Sequence, residues 1–145
     1  MLALALWGFI AQQKPDWILD LHEGHDFNRS HNPPKGKKKS VGSSIIYDNT
    51  PELDCLARRM IAAADETVTD PEKKFMLIPR CPVNTGLARA CINRFGANGL
   101  ILETTFKNQP LSLRTLQHRS MVSVFLQHVG LINEDCRDVV GPIRN

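Results

Sequence analysis

The sequence has no pair of cysteines at the short spacing that a thiolate zinc site requires. Its four cysteines are scattered, with no CxxC pair among them; they are Cys55, Cys81, Cys91 and Cys136. This pattern argues against a cysteine zinc site and against a dense disulfide scaffold. We interpret the cysteines as reduced thiols and therefore expect a cytoplasmic protein.

The sequence also lacks a strong excess of charge of either sign. The formal net charge is only +3 over 145 residues, so no polyanion-binding bias extends over the whole surface. Hydrophobic residues make up 42% and charged residues 23% of the chain, as in ordinary globular proteins. The length suits one domain over residues 1–145 with a sizeable core.

No apolar run at the start of the chain is long enough to span a bilayer as a helix. The apolar stretch 1–11 is too short, and no basic residue precedes it as in a signal peptide. Pro15 then ends the helical pattern. We interpret the stretch as a buried or amphipathic helix that leads into a strand, and we expect no membrane partner.

Several common motifs of binding and catalysis are missing. The sequence contains no glycine-rich phosphate loop, no GxSxG elbow and no EF-hand pattern. His22 and His25 do not form the zincin signature, because HExxH requires its second histidine at the fifth position and here it falls at the fourth. These absences exclude the motif-based assignments to the corresponding enzyme and calcium-binding classes.

A basic loop is predicted between residues 27 and 42. It contains Pro33-Pro34 and the run Lys35–Lys39, a composition that excludes a regular element. The lysines could bind phosphate, but no aromatic residue is interleaved with them to stack on bases. We therefore favour a solvated loop and expect no nucleic-acid partner. The segment 133–145 is predicted to be a polar, loosely held tail.

Strand and helix patterns alternate along the rest of the chain and predict an α/β fold. The pattern is typical of a mainly parallel or mixed sheet flanked by helices. The predicted strands are 17–21, 43–47, 75–78 and 99–102. The predicted helices run from the N-cap Thr50 to about Ala64, from a cap at Asn84 or Thr85 to Phe95, and from Leu111 to about His128, the last with Leu113, Leu116, Met121, Val124 and Phe125 toward the core.

His22 and Glu103 each follow a predicted buried strand. In open α/β sheets, ligands bind beyond the carboxyl ends of the strands. A histidine there can offer a ring nitrogen to a metal, and burial should raise the pKa of a carboxylate toward the range useful for a general base. The residues alone leave the alternatives open: His22 as a hydrogen-bonded turn histidine, and Glu103 as a helix-capping or ion-paired carboxylate.

Other polar side chains around these positions could assist a site. We expect Asp20 to point to the opposite face of its strand from His22 unless the strand bends. This leaves Glu23, His25 and Asp26 as candidates to support a metal ligand or bind substrate. Arg114, near the start of the last helix, could pair with an anionic group of a substrate.

Two short motifs resemble those of a known enzyme family. The segments Asp20-Leu-His-Glu-Gly24 and Ile101-Leu-Glu-Thr-Thr105 are similar to motifs of the succinylglutamate desuccinylase and aspartoacylase branch of the zinc carboxypeptidase superfamily. The resemblance runs from about Lys14 to Ile132. It implies that His22 is the third zinc ligand and that Glu103 is the catalytic base of a zinc-dependent amide hydrolase.

One part of the family pattern is missing. The resemblance implies two further zinc ligands in an upstream HxxE motif, but no histidine precedes His22. We therefore expect a domain that lacks its N-terminal part and requires an upstream partner segment. The substrate would be an N-acyl amino acid or a peptide with a free carboxylate. The alternatives are an inactive fragment and a non-enzymatic module that binds a ligand or metal.

Overall fold

The computed structural model describes residues 2–27, 40–82 and 86–133. These ranges leave out residues 28–39 of the basic loop and residues 134–145 of the polar tail, which include Cys136. They also leave out the predicted helix caps Asn84 and Thr85. Within them, helices and strands alternate as the sequence predicts. In chain order they are α1 (Leu2–Gln13), β1 (Trp17–Gly24), β2 (Ser44–Tyr47), α2 (Pro51–Asp65), β3 (Met76–Pro79), α3 (Leu87–Phe95), β4 (Asn98–Thr105) and α4 (Leu111–His128), with a short 3-10 turn at Pro71–Lys73.

The four strands form one mixed sheet in the order β1-β4-β2-β3. β1 runs parallel to β4, and β2 runs parallel to β3, whereas β2 and β4 are antiparallel. This confirms the predicted fold class. No helix in the described ranges is long and apolar enough to cross a membrane.

Two helices begin or end at the residues that local chemistry favours. Thr50 accepts a hydrogen bond from the backbone N–H of Leu53, and Pro51 occupies the first turn of α2, so the predicted N-cap is confirmed. Gly96 ends α3 in the left-handed region at φ 70°, where a side chain would be strained. At the start of α3 the cap position is Gly86, which makes no side-chain cap hydrogen bond.

The sheet separates two apolar layers. One face packs against α2 and α4 and contains the largest core cluster, with Leu100 and Leu102 of β4 at its centre. The other face packs against α1 and α3 through smaller clusters that include Ile18 and Ile101. On this second face a Cβ at Gly99 would come within 2.7 Å of the Ile92 side chain, which would have to move, so the lack of a side chain at residue 99 helps α3 to pack closely on the sheet.

The core side of α4 differs in part from the sequence prediction. Met121 and Phe125 are buried as predicted, and Val124 packs against the same cluster. Leu113 and Leu116 are only half-buried, whereas polar residues are buried instead: Gln117, Ser120 and Ser123. Gln117 donates a hydrogen bond to the side chain of Gln109 at 3.0 Å, and such a partner makes polar burial tolerable.

Candidate functional site

His22 and Glu103 lie side by side in the sheet. They are direct register partners on the adjacent parallel strands β1 and β4. Partners in register share a face of the sheet, so both side chains lie on the face that packs against α1 and α3. This confirms the prediction that the two residues share one edge. Each strand continues two residues beyond its site residue, to Gly24 and Thr105, instead of ending before it.

Asp20 orients the His22 ring. Its Oδ1 lies 2.9 Å from Nε2 of His22. The expectation that Asp20 points away from His22 is wrong, because side chains alternate with a period of two and residues 20 and 22 share a face. An ionised Asp20 accepts a hydrogen bond from Nε2–H and leaves Nδ1 as the nitrogen with a free lone pair. Carboxylate support of this kind is the usual arrangement behind a metal-ligating histidine.

Glu103 has the electrostatic environment expected of a general base. Burial raises the pKa of Glu103 above its usual value; the electrostatic interaction with His22 opposes this rise, and that with Asp20 adds to it. A carboxylate with a raised pKa is a stronger base toward the proton of an attacking water. On the β2 side of β4, the register partner of Glu103 is Ser44, which is fully buried and carries no charge.

Glu23 and Arg114 form an ion pair with each other on the opposite face of the sheet. Glu23 is one residue beyond His22, so its side chain points toward α4, where it accepts a hydrogen bond from Nη1 of Arg114. The structure therefore does not bring these two residues together with His22 and Glu103. Their predicted role in substrate binding stays a prediction.

His25 and Asp26 follow the end of β1 and contact the turn after β4. The ring of His25 lies 5.0 Å from the ring of Phe106, edge to face. Asp26 accepts a hydrogen bond from the backbone N–H of Phe27 at 2.8 Å and forms an ion pair with Lys107. These contacts tie the ends of the two site-bearing strands to each other, and a direct role of either residue stays a prediction.

The sequence interpretation missed His118 of α4. Nε2 of His118 lies 3.1 Å from Oγ1 of the buried Thr104, directly after Glu103. Burial lowers the pKa of His118, while the backbone of His22 and the charge of Glu23 act in the opposite direction. No sequence motif marks His118 as a partner of Thr104, because the two residues meet only once α4 packs on the sheet.

The His118 environment gives a prediction for the pH dependence of stability. A histidine whose pKa is lowered in the folded state stabilises the fold above its unfolded pKa of about 6.5, and this contribution is lost as the pH falls through the folded value. We expect the free energy of unfolding, measured by urea denaturation, to fall less steeply between pH 7 and pH 5 in His118→Gln than in the wild type. The exposed His25, changed to Gln, serves as the control; equal slopes for the wild type and His118→Gln would contradict the prediction.

The described residues do not by themselves make a complete metal site. His22, supported by Asp20, has the chemistry of one zinc ligand. However, residues 2–27, 40–82 and 86–133 contain no group of three or more His, Cys, Asp or Glu side chains placed to hold a metal ion. A catalytic zinc site requires three protein ligands, so the fit to zinc is partial.

Comparisons with solved structures show which known fold the chain shares. No protein-family model and no curated protein matches the chain. Solved structures of the cell shape determinant protein Csd4 from Helicobacter pylori do match. The Gln46His variant of Csd4 has a TM-score of 0.71 at 20% identity over 89% of this chain, and its tripeptide-bound form has a TM-score of 0.69 at 21% identity over 86%.

These likenesses show a carboxypeptidase-like fold. The mDAP-bound form of Csd4, which is described as a D,L-carboxypeptidase, has a TM-score of 0.67 at 20% identity over 86% of this chain. The chain spans only about a third of the Csd4 chain, between 33% and 34% in these three comparisons. The peptidase-like fold predicted from the two motifs is therefore confirmed, while the desuccinylase and aspartoacylase branch stays a prediction.

Proposed function

We propose that this chain carries one metal ligand and the general base of a zinc-dependent carboxypeptidase-type site. The observation that carries the proposal is the pairing of His22 with Glu103 in register on adjacent strands, with Asp20 bonded to the His22 ring. His22 would be the ligand, and Glu103 would take a proton from the attacking water and pass it to the leaving amine. The remaining ligands would come from outside the described residues, as the missing HxxE motif predicts.

The substrate that we propose is a peptide with a free carboxylate. Csd4 has been solved with a bound tripeptide and with bound mDAP, and its fold is the one this chain shares. These bound forms favour a peptide over an N-acyl amino acid. Arg114 is paired with Glu23 on the far face of the sheet, so it does not lie beside His22 and Glu103 to bind a carboxylate of the substrate.

A second candidate function is a non-enzymatic module with a carboxypeptidase-like fold. The absence of a three-ligand cluster among the described residues favours it. The two candidates differ in one measurable respect. The enzymatic proposal requires that turnover depends on both His22 and Glu103 once the missing ligands are supplied, whereas the module predicts no turnover even then.

We expect residues 1–145 alone to bind zinc weakly and to show no measurable hydrolysis. One histidine cannot hold zinc in the fixed, open geometry that catalysis needs, and complete structural sites bind with about 10–16 kcal/mol. Calorimetry with zinc chloride on the wild type, on His22→Ala and on the control His128→Ala, which changes a histidine at the C-terminal end of α4, measures the first part. Hydrolysis of short peptides and N-acyl amino acids, with and without zinc, measures the second.

Turnover should appear when a segment that bears HxxE is added, in the same chain or as a separate chain. This turnover should depend on zinc and should require both His22 and Glu103. Tight stoichiometric zinc binding that survives His22→Ala would refute the role of His22. Turnover that appears with the added segment but survives both His22→Ala and Glu103→Gln would refute the proposed site.

A further inference from the structure

The site lies where the sheet has the least strand support. β2 pairs with β4 only from Leu100 to Glu103. Beyond Glu103, at Thr104 and Thr105, β4 pairs with β1 alone among the described residues. Two strands by themselves are at best marginally stable in water. The separation of His22 and Glu103 therefore depends on what else holds these two strand ends together.

The hydrogen-bond ladder between β1 and β4 runs through the site. The N–H of Phe106 donates to the C=O of Gly24 at 3.1 Å, at the end of the ladder. In a parallel pair such bonds are evenly spaced and recur at every second residue, so the N–H of Thr104 donates to the C=O of His22. We call this bond the Thr104–His22 ladder bond. It joins the candidate metal ligand to the residue that follows the candidate base.

His118 of α4 lies against the Thr104–His22 ladder bond on the opposite face of the sheet. Nε2 of His118 is 3.1 Å from Oγ1 of Thr104, which is fully buried and so is shielded from bulk water. Burial lowers the pKa of His118, and a hydrogen bond between the ring and the backbone of His22 opposes this effect. A single side chain thus contacts both residues that the ladder bond connects.

Two further contacts from the same face of α4 reach the flanking residues. Arg114 forms an ion pair with Glu23 of β1. Gln117 donates a hydrogen bond to the side chain of Gln109 at 3.0 Å, and Gln109 donates one to the C=O of Thr105 of β4 at 2.6 Å. Positions 114, 117 and 118 share a helix face because they are three and four residues apart. α4 is therefore bonded to the ends of both site-bearing strands.

We propose that His118 is a positioning residue for the His22–Glu103 pair: its ring keeps the Thr104–His22 ladder bond closed and thereby fixes the separation of the two side chains on the other face. His22 is one end of this bond and Glu103 directly precedes the other, so a shift of either backbone moves a site residue with it. A misplacement of about 1 Å can cost about 10²-fold in rate. The consequence for turnover rests on the proposed function, whereas the hold on the backbone does not.

Amide hydrogen exchange of the 145-residue chain, followed by NMR, tests this hold directly. His118→Asn places its amide nitrogen near the position of Nδ1, too far from Thr104 to bond, whereas the longer His118→Gln places it near the position of Nε2. We expect His118→Asn to speed exchange at Thr104 and Gly24 by about tenfold, the upper end for one hydrogen bond. His118→Gln should keep both amides within about threefold of the wild type.

Phe125→Leu is the control for a general loss of α4 packing. Phe125 packs on Trp17 at the start of β1, with ring centroids 5.4 Å apart, and so does not touch the ladder bond. This variant should speed exchange at the core amide of Leu100 at least as much as at Thr104, whereas His118→Asn should act mainly at Thr104. Unchanged exchange at Thr104 in His118→Asn, equal acceleration at Leu100, or failure of His118→Gln to restore protection would overturn the proposal.

Kinetics separate this inference from the proposed function. After addition of the HxxE-bearing segment, His118→Asn should lower kcat by about tenfold or more with little change in KM, and His118→Gln should restore kcat. An unchanged kcat in His118→Asn, together with faster exchange at Thr104, would overturn the positioning role. A wild type without turnover would refute the proposed function alone, because the exchange rates still decide whether His118 holds the strand ends.

Discussion

Leu102→Ala is expected to lower the free energy of unfolding by about 2–5 kcal/mol, the range for truncating a fully buried leucine. Leu102 is 0% exposed and lies at the centre of the main core cluster, where β4 meets α2 and α4. The truncation removes apolar contacts and leaves a cavity that two helices and the sheet cannot close without moving. Domains of this size have total stabilities of about 5–15 kcal/mol, so the loss would be a large fraction of the whole.

Urea denaturation at pH 7 measures the effect of Leu102→Ala. The matched control is Leu111→Ala, which truncates a leucine that is 60% exposed, where we expect a change within about 0.5 kcal/mol. Because Leu102 precedes Glu103 directly, the variant should also loosen the site. A loss below about 1 kcal/mol would contradict the packing of the described core.

Glu103→Gln is expected to have opposite effects on catalysis and on stability. In a preparation completed by the proposed segment, it should lower turnover by about 10²–10⁴-fold, the usual contribution of a general base. In the chain itself it should raise stability at pH 7. Burial raises the pKa of Glu103, so the charged form is disfavoured in the folded state, and a neutral isostere avoids that cost.

The sign of this stability effect fixes its pH dependence. For a carboxyl group with a raised folded pKa, the stabilising contribution is complete below the unfolded value of about 4.3 and is lost as the pH rises through the folded value. The advantage of Glu103→Gln should therefore be absent near pH 4 and present at pH 7. Thermal unfolding at the two pH values measures it, with the exposed Glu72, changed to Gln, as the control. A variant that is less stable than the wild type at pH 7 would contradict this account of the Glu103 environment.

The element pattern was predictable because it depends on local chemistry. Thr50 followed by Pro51 marks the start of α2, and Gly96 marks the end of α3, through backbone requirements that act within a few residues. Two further local features are the apolar runs of β1 and β4. Each run gives way to a polar residue near the end of its strand, His22 in β1 and Glu103 in β4. For this reason the α/β fold and the two principal candidate residues could be predicted before any contact was known.

The partners of those residues were less predictable. The two-residue period of a strand places Asp20 on the same face as His22, so the sequence does contain this contact, contrary to the expectation that Asp20 points away. Arg114 was a candidate for substrate binding, but its guanidinium pairs with Glu23 on the far side of the sheet. Such pairings depend on how α4 lies across the strands, and no local pattern encodes that angle.

The sequence by itself determined which segments form strands and helices, and it placed a histidine and a glutamate near the ends of two of the strands, because propensity, capping and alternation are short-range effects. Only the tertiary structure decided that β4 lies between β1 and β2, which makes His22 and Glu103 neighbours. Strand order results from the joint burial of both sheet faces against four helices. That balance is a property of the whole packed domain, so the contact between His118 and Thr104 becomes visible only after packing.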